Sequence, residues 1–318
     1  MEKRCVMPEA YTYLFGPVPS RRLGLSLGID LVPSKTCSLD CVYCESGKTT
    51  RLTVLRQPWV DTDKVIGELE RFLSLNPDLD VVTFSGSGEP VLNESIPTIV
   101  TFLKTRFPEY KTVLLTNGTL FYLEQARRDV LDVDLIIASL DAVSPEVFRA
   151  VNRPHPDLDP EKIVQGLVDL RREFRHELWI EIFIVPGLND SDRELALLSS
   201  AVRRIAPDKV QINTLDRPGT EPWIRRAEKS ELERIHGYFD RLEIVGREIC
   251  RKMDLIVEEK AIEPAIVQLV SRRPCTADDM EKSLGAGRAQ IDAALERLMK
   301  DGKIRCEAMG RGVFYRIS

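Results

Sequence analysis

Short apolar runs rich in β-branched residues alternate with longer amphipathic stretches between about residue 25 and residue 215. The short runs predict strands, and the longer stretches predict helices because their apolar residues recur at helical spacing. Strands that alternate with helices imply an α/β fold with a parallel sheet. The six predicted strands cover residues 25–32, 81–84, 112–115, 135–138, 179–185 and 209–213, and turn residues follow each of them.

Five helices are predicted between these strands, over residues 62–75, 96–106, 120–131, 161–174 and 192–205. Six parallel strands with right-handed crossovers form either a partial barrel or an open twisted sheet, and periodicity does not separate the two. In both arrangements the functional side chains lie at the carboxyl ends of the strands.

The pattern changes after Arg217, where a helix over residues 229–239 and a short strand over 242–245 precede a charged stretch. We interpret residues 247–261 as a linker. The segment beyond it predicts three helices and then a hairpin around Gly310 and Gly312, an order typical of a winged helix-turn-helix. Those helices cover residues 263–271, 276–284 and 288–300, and the hairpin strands cover 303–307 and 313–317.

The composition of the 318 residues, with 43% hydrophobic and 30% charged side chains, is that of an ordinary globular protein. We find no apolar run long enough to span a membrane and no apolar segment of a signal peptide near the start, so we expect a cytoplasmic protein. The net charge of −5 argues against nucleic-acid binding through overall charge. Residues 262–318 carry ten basic and eight acidic side chains, which leaves a local nucleic-acid surface as an open alternative.

Three of the seven cysteines, Cys37, Cys41 and Cys44, fall within eight residues directly after the first predicted strand. This spacing does not suit a secreted disulfide framework and indicates a metal or redox role. Three thiolates so close together can hold an iron–sulfur cluster. Structural zinc usually takes two cysteine pairs, and the chain contains no second Cys-x-x-Cys. Three ligands leave one iron of the cluster open.

The Cys-x-x-x-Cys-x-x-Cys motif, with Tyr43 before its third cysteine, resembles that of the radical S-adenosylmethionine (SAM) superfamily. The resemblance implies a 4Fe–4S cluster on Cys37, Cys41 and Cys44, with SAM chelating the open iron. Reductive cleavage of SAM would then give methionine and a 5′-deoxyadenosyl radical that abstracts hydrogen from a substrate. It also implies a partial (β/α)6 TIM-like barrel over residues 13–246, followed by a small C-terminal winged-helix domain over residues 262–318.

Further polar segments follow the later strands, as expected for a SAM site. Ser-Gly-Ser-Gly-Glu-Pro at residues 85–90 resembles the Gly-Gly-Glu motif of the family, in which Glu89 would pair with the methionine ammonium. Turn formation and helix capping are the alternative explanations for Thr-Asn-Gly-Thr at residues 116–119. The resemblance implies that the residues binding SAM are Tyr43, Gly86, Gly88, Glu89, Thr116, Asn117, Ser139, Asp141, Asn213 and Leu215.

The segment from Phe15 to Gly24, which contains Arg21 and Arg22, resembles a subgroup related to wyosine synthases and to MoaA- and NifB-like radical SAM proteins. Wyosine synthases act on a guanine-derived base in transfer RNA. Arg21 and Arg22 are predicted to bind a phosphate or carboxylate of the substrate, and Arg153 and Arg217, which follow the fourth and sixth predicted strands, are further candidates. Only Cys5 precedes Cys37, so we expect a single cluster and a reaction different from that of archaeal wyosine synthases.

These observations favour a radical SAM enzyme of the oxidoreductase or transferase type that modifies RNA, with a transfer RNA base as the expected substrate. Flavodoxin or ferredoxin is the expected electron donor, and the winged helix would bind RNA or a protein partner. Two alternatives stay open: radical modification or activation of a peptide or protein, and a non-catalytic iron–sulfur redox sensor. Glu89, Asn117 and Ser139 argue against the sensor, because a sensor needs no SAM pocket.

Overall fold

A computed structural model describes residues 11–239, 242–245, 261–310 and 312–318, and the backbone of residues 5–6 and 255–256. None of the helices in these ranges is both long and apolar enough to cross a membrane. The strands are β1 (Cys5–Val6), β2 (Leu14–Ser20), β3 (Gly24–Ile29), β4 (Thr36–Cys37), β5 (Arg51–Leu52), β6 (Val81–Phe84), β7 (Lys111–Thr116), β8 (Leu135–Ser139), β9 (Glu177–Ile184), β10 (Lys209–Thr214), β11 (Leu242–Ile244), β12 (Leu255–Ile256), β13 (Cys275–Thr276), β14 (Ile304–Met309) and β15 (Gly312–Ile317). The helices are α1 (Thr62–Leu73), α2 (Ile96–Arg106), α3 (Glu124–Arg128), α4 (Pro145–Asn152), α5 (Pro160–Glu173), α6 (Asp192–Ile205), α7 (Lys229–His236), α8 (Ile262–Val270), α9 (Ala277–Leu284) and α10 (Arg288–Lys300).

Eight strands form the main sheet, in the spatial order β11, β10, β9, β8, β7, β6, β3 and β2. Neighbouring strands are parallel from β3 to β11, and only β2 pairs antiparallel, with β3. The six strands from β3 to β10 lie side by side in chain order, and the segments between them contain the helices. This is the topology of a partial (β/α)6 TIM-like barrel, so the predicted fold class is confirmed.

The two faces of the sheet differ in polarity because successive side chains of a strand point to opposite faces. Ile29, Phe84 and Ile182 are buried in the large apolar core that the helices cover. On the inner face, the hydroxyl groups of Ser26 on β3 and Thr83 on β6 share a hydrogen bond, with their oxygens 2.6 Å apart. The interior of the barrel is therefore polar where it opens into a cavity.

Several predicted elements differ from the observed ones. β2 was not predicted because Gly16, Pro17 and Pro19 interrupt its apolar pattern; proline is tolerated there because β2 is an edge strand. The segment around Arg149, where no helix was predicted, forms α4. The predicted helix over residues 120–131 is reduced to α3, because Leu120 and Phe121 are buried in a turn that precedes it.

The C-terminal unit, residues 261–318, contains α8, α9, α10 and an antiparallel sheet in the order β13, β15, β14. The predicted helices and hairpin are all present, in the order predicted for a winged helix; the domain boundaries stay a prediction. Val18 of β2 lies in the apolar core of this unit, and Phe15 packs against that core. Most of the predicted linker, 247–261, lies outside the described residues, although its Leu255–Ile256 pairs with β1.

Candidate active site

The three cysteines lie in one loop that begins with β4 and is fixed to α4. The amide of Val42 donates to the carbonyl of Val151 at 2.9 Å, and the amide of Cys44 donates to the carbonyl of Cys41 at 3.1 Å. All three thiols are free and half-buried. Because the loop is held by backbone hydrogen bonds, its sulfur atoms are presented from a defined conformation.

Two asparagine side chains face these sulfur atoms. Nδ2 of Asn117 is 3.5 Å from Sγ of Cys37, and Nδ2 of Asn152 is 3.3 Å from Sγ of Cys41. N–H groups aimed at sulfur stabilise a thiolate and tune an iron–sulfur cluster. Burial raises the pKa of Cys37 to about 12 and also raises the pKa of Cys41 and Cys44, so the thiolates need a cationic partner.

The donor set fits an iron–sulfur cluster better than a single ion. Within the described residues, no three His, Cys, Asp or Glu side chains are grouped closely enough to hold one metal ion. A cluster needs no such grouping, because each cysteine binds a different iron. Cys37, Cys41 and Cys44 would therefore hold three irons of a 4Fe–4S cluster and leave the fourth for another ligand.

Tyr43, inside the cysteine motif, is held from two sides. Its hydroxyl donates to Oδ2 of Asp141, and its ring stacks on Phe183 with the centroids 3.9 Å apart. Asp141 also accepts hydrogen bonds from Nδ2 of Asn152 at 2.7 Å and from the amide of Phe183 at 2.8 Å. Both carboxylate oxygens of Asp141 thus accept hydrogen bonds within the protein, which fixes the orientation of this side chain, and its contact with SAM stays a prediction.

Glu89 is buried beside the cysteine loop and links the ends of β6 and β7. Its carboxylate accepts hydrogen bonds from the amide of Val91 at 2.9 Å, the hydroxyl of Thr116 at 2.7 Å and the amide of Asn117 at 2.7 Å. Desolvation outweighs these hydrogen bonds and raises the pKa of Glu89 to about 7. A cationic ligand nearby would favour the ionised form.

The glycines before Glu89 allow two close approaches. A Cβ on Gly88 would lie 2.0 Å from the carbonyl oxygen of Thr36, which is the residue before Cys37. A Cβ on Gly86, where φ is +155°, would lie 2.3 Å from the carboxylate of Asp30. Any side chain at these positions would push the Gly-rich segment away from the cysteine loop.

A cavity of about 310 Å³ opens next to the cysteine loop, on the inner face of the sheet. Of the predicted SAM-binding residues, Tyr43, Gly86 and Asn213 line it, together with Cys44. Thr116 and Asn117 lie behind them in the hydrogen-bonded group around Glu89. Ser139 ends β8, and Leu215 is buried in the apolar cluster that contains Val42 and Phe183.

The predicted substrate arginines separate into two groups. Arg21 and Arg22 line the cavity, and Arg22 forms an ion pair with Glu181 on β9. Arg153 follows α4, pairs with Glu221 at 2.6 Å and is not among the residues that line the cavity.

Two arginines of the cavity, both in the C-terminal unit, were not predicted as substrate ligands, whereas Arg217 was a candidate because it follows the sixth predicted strand. Arg217 follows β10, and Arg272 and Arg273 follow α8 in the C-terminal unit. Arg217 is buried and donates to Oδ2 of Asp279 at 2.6 Å, which ties the C-terminal unit to the barrel. Sequence spacing gives no sign of this contact, because it depends on how the two parts of the chain dock.

Comparison with known proteins agrees with this geometry. Residues 31–198 match the family model of the Radical SAM superfamily. A UPF0026 protein of Methanocaldococcus jannaschii is 30% identical, over 96% of this chain and 95% of that protein. A Brachyspira hyodysenteriae protein named GTPase Obg is 32% identical over 96% of this chain, which spans only 45% of that relative.

Among solved structures, a radical SAM methyltransferase from Sphaerobacter thermophilus has a similar fold, with a TM-score of 0.53 at 16% identity. The match covers 69% of this chain and 65% of that one. This similarity supports the fold, and the family match and the UPF0026 relative confirm the family that the cysteine motif predicted. The chain therefore belongs to the Radical SAM superfamily, whose members bind a 4Fe–4S cluster and SAM, and within it to the UPF0026 proteins.

Proposed function

We propose that this chain is an enzyme that cleaves SAM reductively on a single 4Fe–4S cluster and abstracts a hydrogen atom from a substrate in the adjacent cavity. The observation that carries the proposal is the cysteine loop, with amide groups aimed at two of its sulfur atoms, beside a cavity on the inner face of the barrel. A 4Fe–4S cluster held by Cys37, Cys41 and Cys44 would supply the one-electron reduction that cleaves SAM to methionine and a 5′-deoxyadenosyl radical.

The residues of this chain would bind and orient SAM. We assign Cys37, Cys41 and Cys44 as cluster ligands and Glu89 as the partner of the methionine ammonium. Asn117 would position Glu89 relative to the cluster, because its backbone amide donates to Glu89 while its side chain faces Cys37. The predicted SAM residues that line the cavity, Tyr43, Gly86 and Asn213, would contact the rest of the molecule.

The walls of the cavity would also exclude water from the reacting atoms. The stacked rings of Tyr43 and Phe183 form an apolar wall on one side, and residues after α8 of the C-terminal unit form another. A radical abstracts hydrogen from any donor it meets, so an enclosed site protects the intended substrate reaction.

We further propose that the substrate is a nucleotide in RNA, with a transfer RNA base as the expected target. The resemblance of residues 15–24 to the wyosine-synthase subgroup supports this choice, and so do the arginines of the cavity. The C-terminal unit is assigned as a winged helix that binds the substrate or a partner. We expect a cytoplasmic enzyme that receives its electron from flavodoxin or ferredoxin.

A peptide or protein substrate is the second candidate, because the arginines of α10 are already neutralised. Arg288 pairs with Asp292 at 2.9 Å and Arg297 pairs with Glu263 at 2.5 Å. The helix that would enter a nucleic-acid groove in a winged helix therefore offers little free positive charge. A protein partner docked on the C-terminal unit would not need that charge.

The test is made anaerobically on reconstituted protein, by measuring iron, sulfide and the 5′-deoxyadenosine formed from SAM under a strong reductant. We expect about four irons per chain in the wild type and loss of both cluster and deoxyadenosine in Cys41→Ala. Cys306→Ala is the matched control because Cys306 is exposed on β14, and it should match the wild type. A cluster without SAM cleavage would contradict the proposal and favour a redox sensor.

The same assay separates the two substrate classes. Transfer RNA and peptide pools are added in turn to the reconstituted wild type, and deoxyadenosine is measured. Stimulation by transfer RNA alone supports the RNA proposal, whereas stimulation by peptides alone replaces it with the second candidate.

A further inference from the structure

Five arginines line the cavity and come from three distant parts of the chain. Two precede β3, one follows β10, and two follow α8 in the C-terminal unit. They are Arg21, Arg22, Arg217, Arg272 and Arg273. Among the described residues, only two acidic side chains, Glu45 and Glu181, line the same cavity. An arrangement of this kind favours an anionic ligand.

Most of these guanidinium groups already have carboxylate partners. Four of the five have one: Arg22 pairs with Glu181, Arg217 with Asp279, Arg272 with Asp30 at 3.4 Å and Arg21 with Asp216 at 4.0 Å. In the Arg272 pair, the Nε atom is buried without a hydrogen bond. A further anion could therefore satisfy Arg272 without breaking an existing hydrogen bond at that nitrogen.

Arg273 has no carboxylate within ion-pair distance among the described residues, although the charges of Glu45 and Asp279 act on it from further away. Neither an ion pair nor a hydrogen bond from its guanidinium is found there, although the side chain is largely enclosed. Burial and the nearby charge of Arg217 lower the pKa of Arg273. An enclosed cation without a partner is costly, and a bound anion would remove that cost.

The backbone on both sides of this arginine pair is fixed to the barrel. The hydroxyl of Ser46, two residues beyond Cys44, donates to the carbonyl of Arg272 at 2.8 Å. The guanidinium of Arg217 donates to the carbonyl of Pro274 at 2.8 Å. Arg272 and Arg273 are thus held against the cysteine loop, and the C-terminal unit forms part of the cavity wall.

We propose that Arg273, together with Arg272 and Arg21, binds a phosphate group of the substrate, so that the C-terminal unit completes the active site. Guanidinium groups match phosphate oxygens in planar, bidentate geometry, and the two non-bridging oxygens of an RNA phosphate can accept hydrogen bonds from more than one of them. This inference rests on the proposed function, because it assumes that the substrate occupies this cavity.

The test is a calorimetric titration of the reconstituted full-length protein with inorganic pyrophosphate, inorganic phosphate, guanosine 5′-monophosphate and malonate. We expect pyrophosphate to bind the wild type and to bind Arg273→Gln at least about tenfold more weakly. Arg305→Gln is the matched control because Arg305 is exposed on β14 of the same unit, and its affinity should stay within about twofold of the wild type. Arg273→Lys, which keeps the charge, should recover part of the affinity.

The other ligands identify the chemistry of the site. Tighter binding of guanosine monophosphate than of phosphate supports a nucleotide as the source of the phosphate, and equal binding would overturn that source in favour of a free anion. Malonate binding that Arg273→Gln weakens as strongly as pyrophosphate binding would overturn the phosphate assignment. No pyrophosphate binding by the wild type, or equal binding by Arg273→Gln, would overturn the site itself.

Failure of the proposed function is detected separately. Deoxyadenosine formation without substrate is measured on the same wild-type preparation. If SAM is cleaved but pyrophosphate does not bind, only the phosphate site is wrong. If SAM is not cleaved, the proposed function is wrong whatever the anion titration gives.

Discussion

The hydroxyl of Tyr43 donates a 2.5 Å hydrogen bond to the carboxylate of Asp141, which lies 98 residues further along the chain. The same carboxylate accepts from Asn152, whose amide also faces the sulfur of Cys41. The end of β8 therefore sets the orientation of the loop that carries the cysteines. Asp141 thus fixes the side chains of Tyr43 and Asn152 beside the cysteines, and we expect it to act as a positioning residue.

Tyr43→Phe should destabilise the cysteine loop. The change removes one donor from the buried Asp141 carboxylate, and an unsatisfied group of this kind costs about 1–3 kcal/mol. We expect a lower free energy of unfolding in urea and less iron retained after reconstitution. The hydroxyl of Tyr122 has no hydrogen bond to the described residues, so Tyr122→Phe is the control, and equal iron loss in both variants would contradict the positioning role.

SAM affinity should depend on pH through Glu89. Its pKa is raised to about 7 by desolvation, so the carboxyl is neutral below pH 7 and ionised above it. Because the methionine ammonium prefers the ionised form, the dissociation constant of SAM should fall between pH 6 and pH 8, by at most about tenfold per pH unit. Equilibrium dialysis of anaerobic, reconstituted protein measures this change.

Glu89→Gln should bind SAM weakly at every pH in this range. Glu68 of α1 provides the control. Its buried carboxylate accepts hydrogen bonds from the backbone amides of Thr12, Tyr13 and Leu14, and it does not line the cavity. Glu68→Gln should keep the pH dependence of SAM binding even if it lowers stability. A wild-type affinity that does not change with pH would refute the assignment of Glu89.

Gly88→Ala should disrupt the Gly-rich segment, because the new Cβ would meet the backbone carbonyl of Thr36 at 2.0 Å. Strain or overpacking of this kind costs about 1–3 kcal/mol, and we also expect reduced iron content. Gly67→Ala in α1 is the matched control: its Cβ would meet only the end of the Arg71 side chain, at 3.7 Å. That variant should gain about 0.5–1 kcal/mol of stability. Thermal unfolding of both variants measures these changes in stability. If Gly88→Ala is as stable as the wild type, the Gly-rich segment can move away from Thr36 without cost.

Asp279→Asn should loosen the C-terminal unit from the barrel. Removing one partner of a buried ion pair costs about 3–5 kcal/mol, and Glu45, which lies 3.6 Å from the guanidinium of Arg217, would offset part of this cost. Hydrogen exchange should increase in α8 and α9. Asp278→Asn removes an exposed partner of Arg288 and should cost less than about 1 kcal/mol, and similar exchange in both variants would argue against the anchoring contact.

Much of the fold was predictable because its signals are local. α2, α6 and α10 have the predicted bounds, and β6 matches the predicted strand, since apolar periodicity and turn residues define them. β2 escaped prediction because its glycine and prolines are tolerated only through its edge position, which sequence spacing does not reveal.

The site residues also divide into those that local sequence signals predict and those that depend on tertiary packing. Cys37, Glu89 and Asn117 follow separate strands, and the parallel topology brings them together as expected. The contacts of Asp141 with Tyr43, and of Arg273 with the cavity, depend on tertiary packing between distant segments. Residues at strand ends can be predicted as neighbours, whereas residues that reach the site from the C-terminal unit cannot.

The burial of Val18 of β2 in the core of the C-terminal unit has a consequence for how such chains can be rearranged. A protein shortened before residue 262 would leave this edge strand with an uncovered apolar side chain and unpaired backbone groups, a surface that promotes aggregation. Exchange of the C-terminal unit between related genes would therefore have to carry matching changes in the strand near the start of the chain. The two ends of the sequence are expected to vary together among homologues.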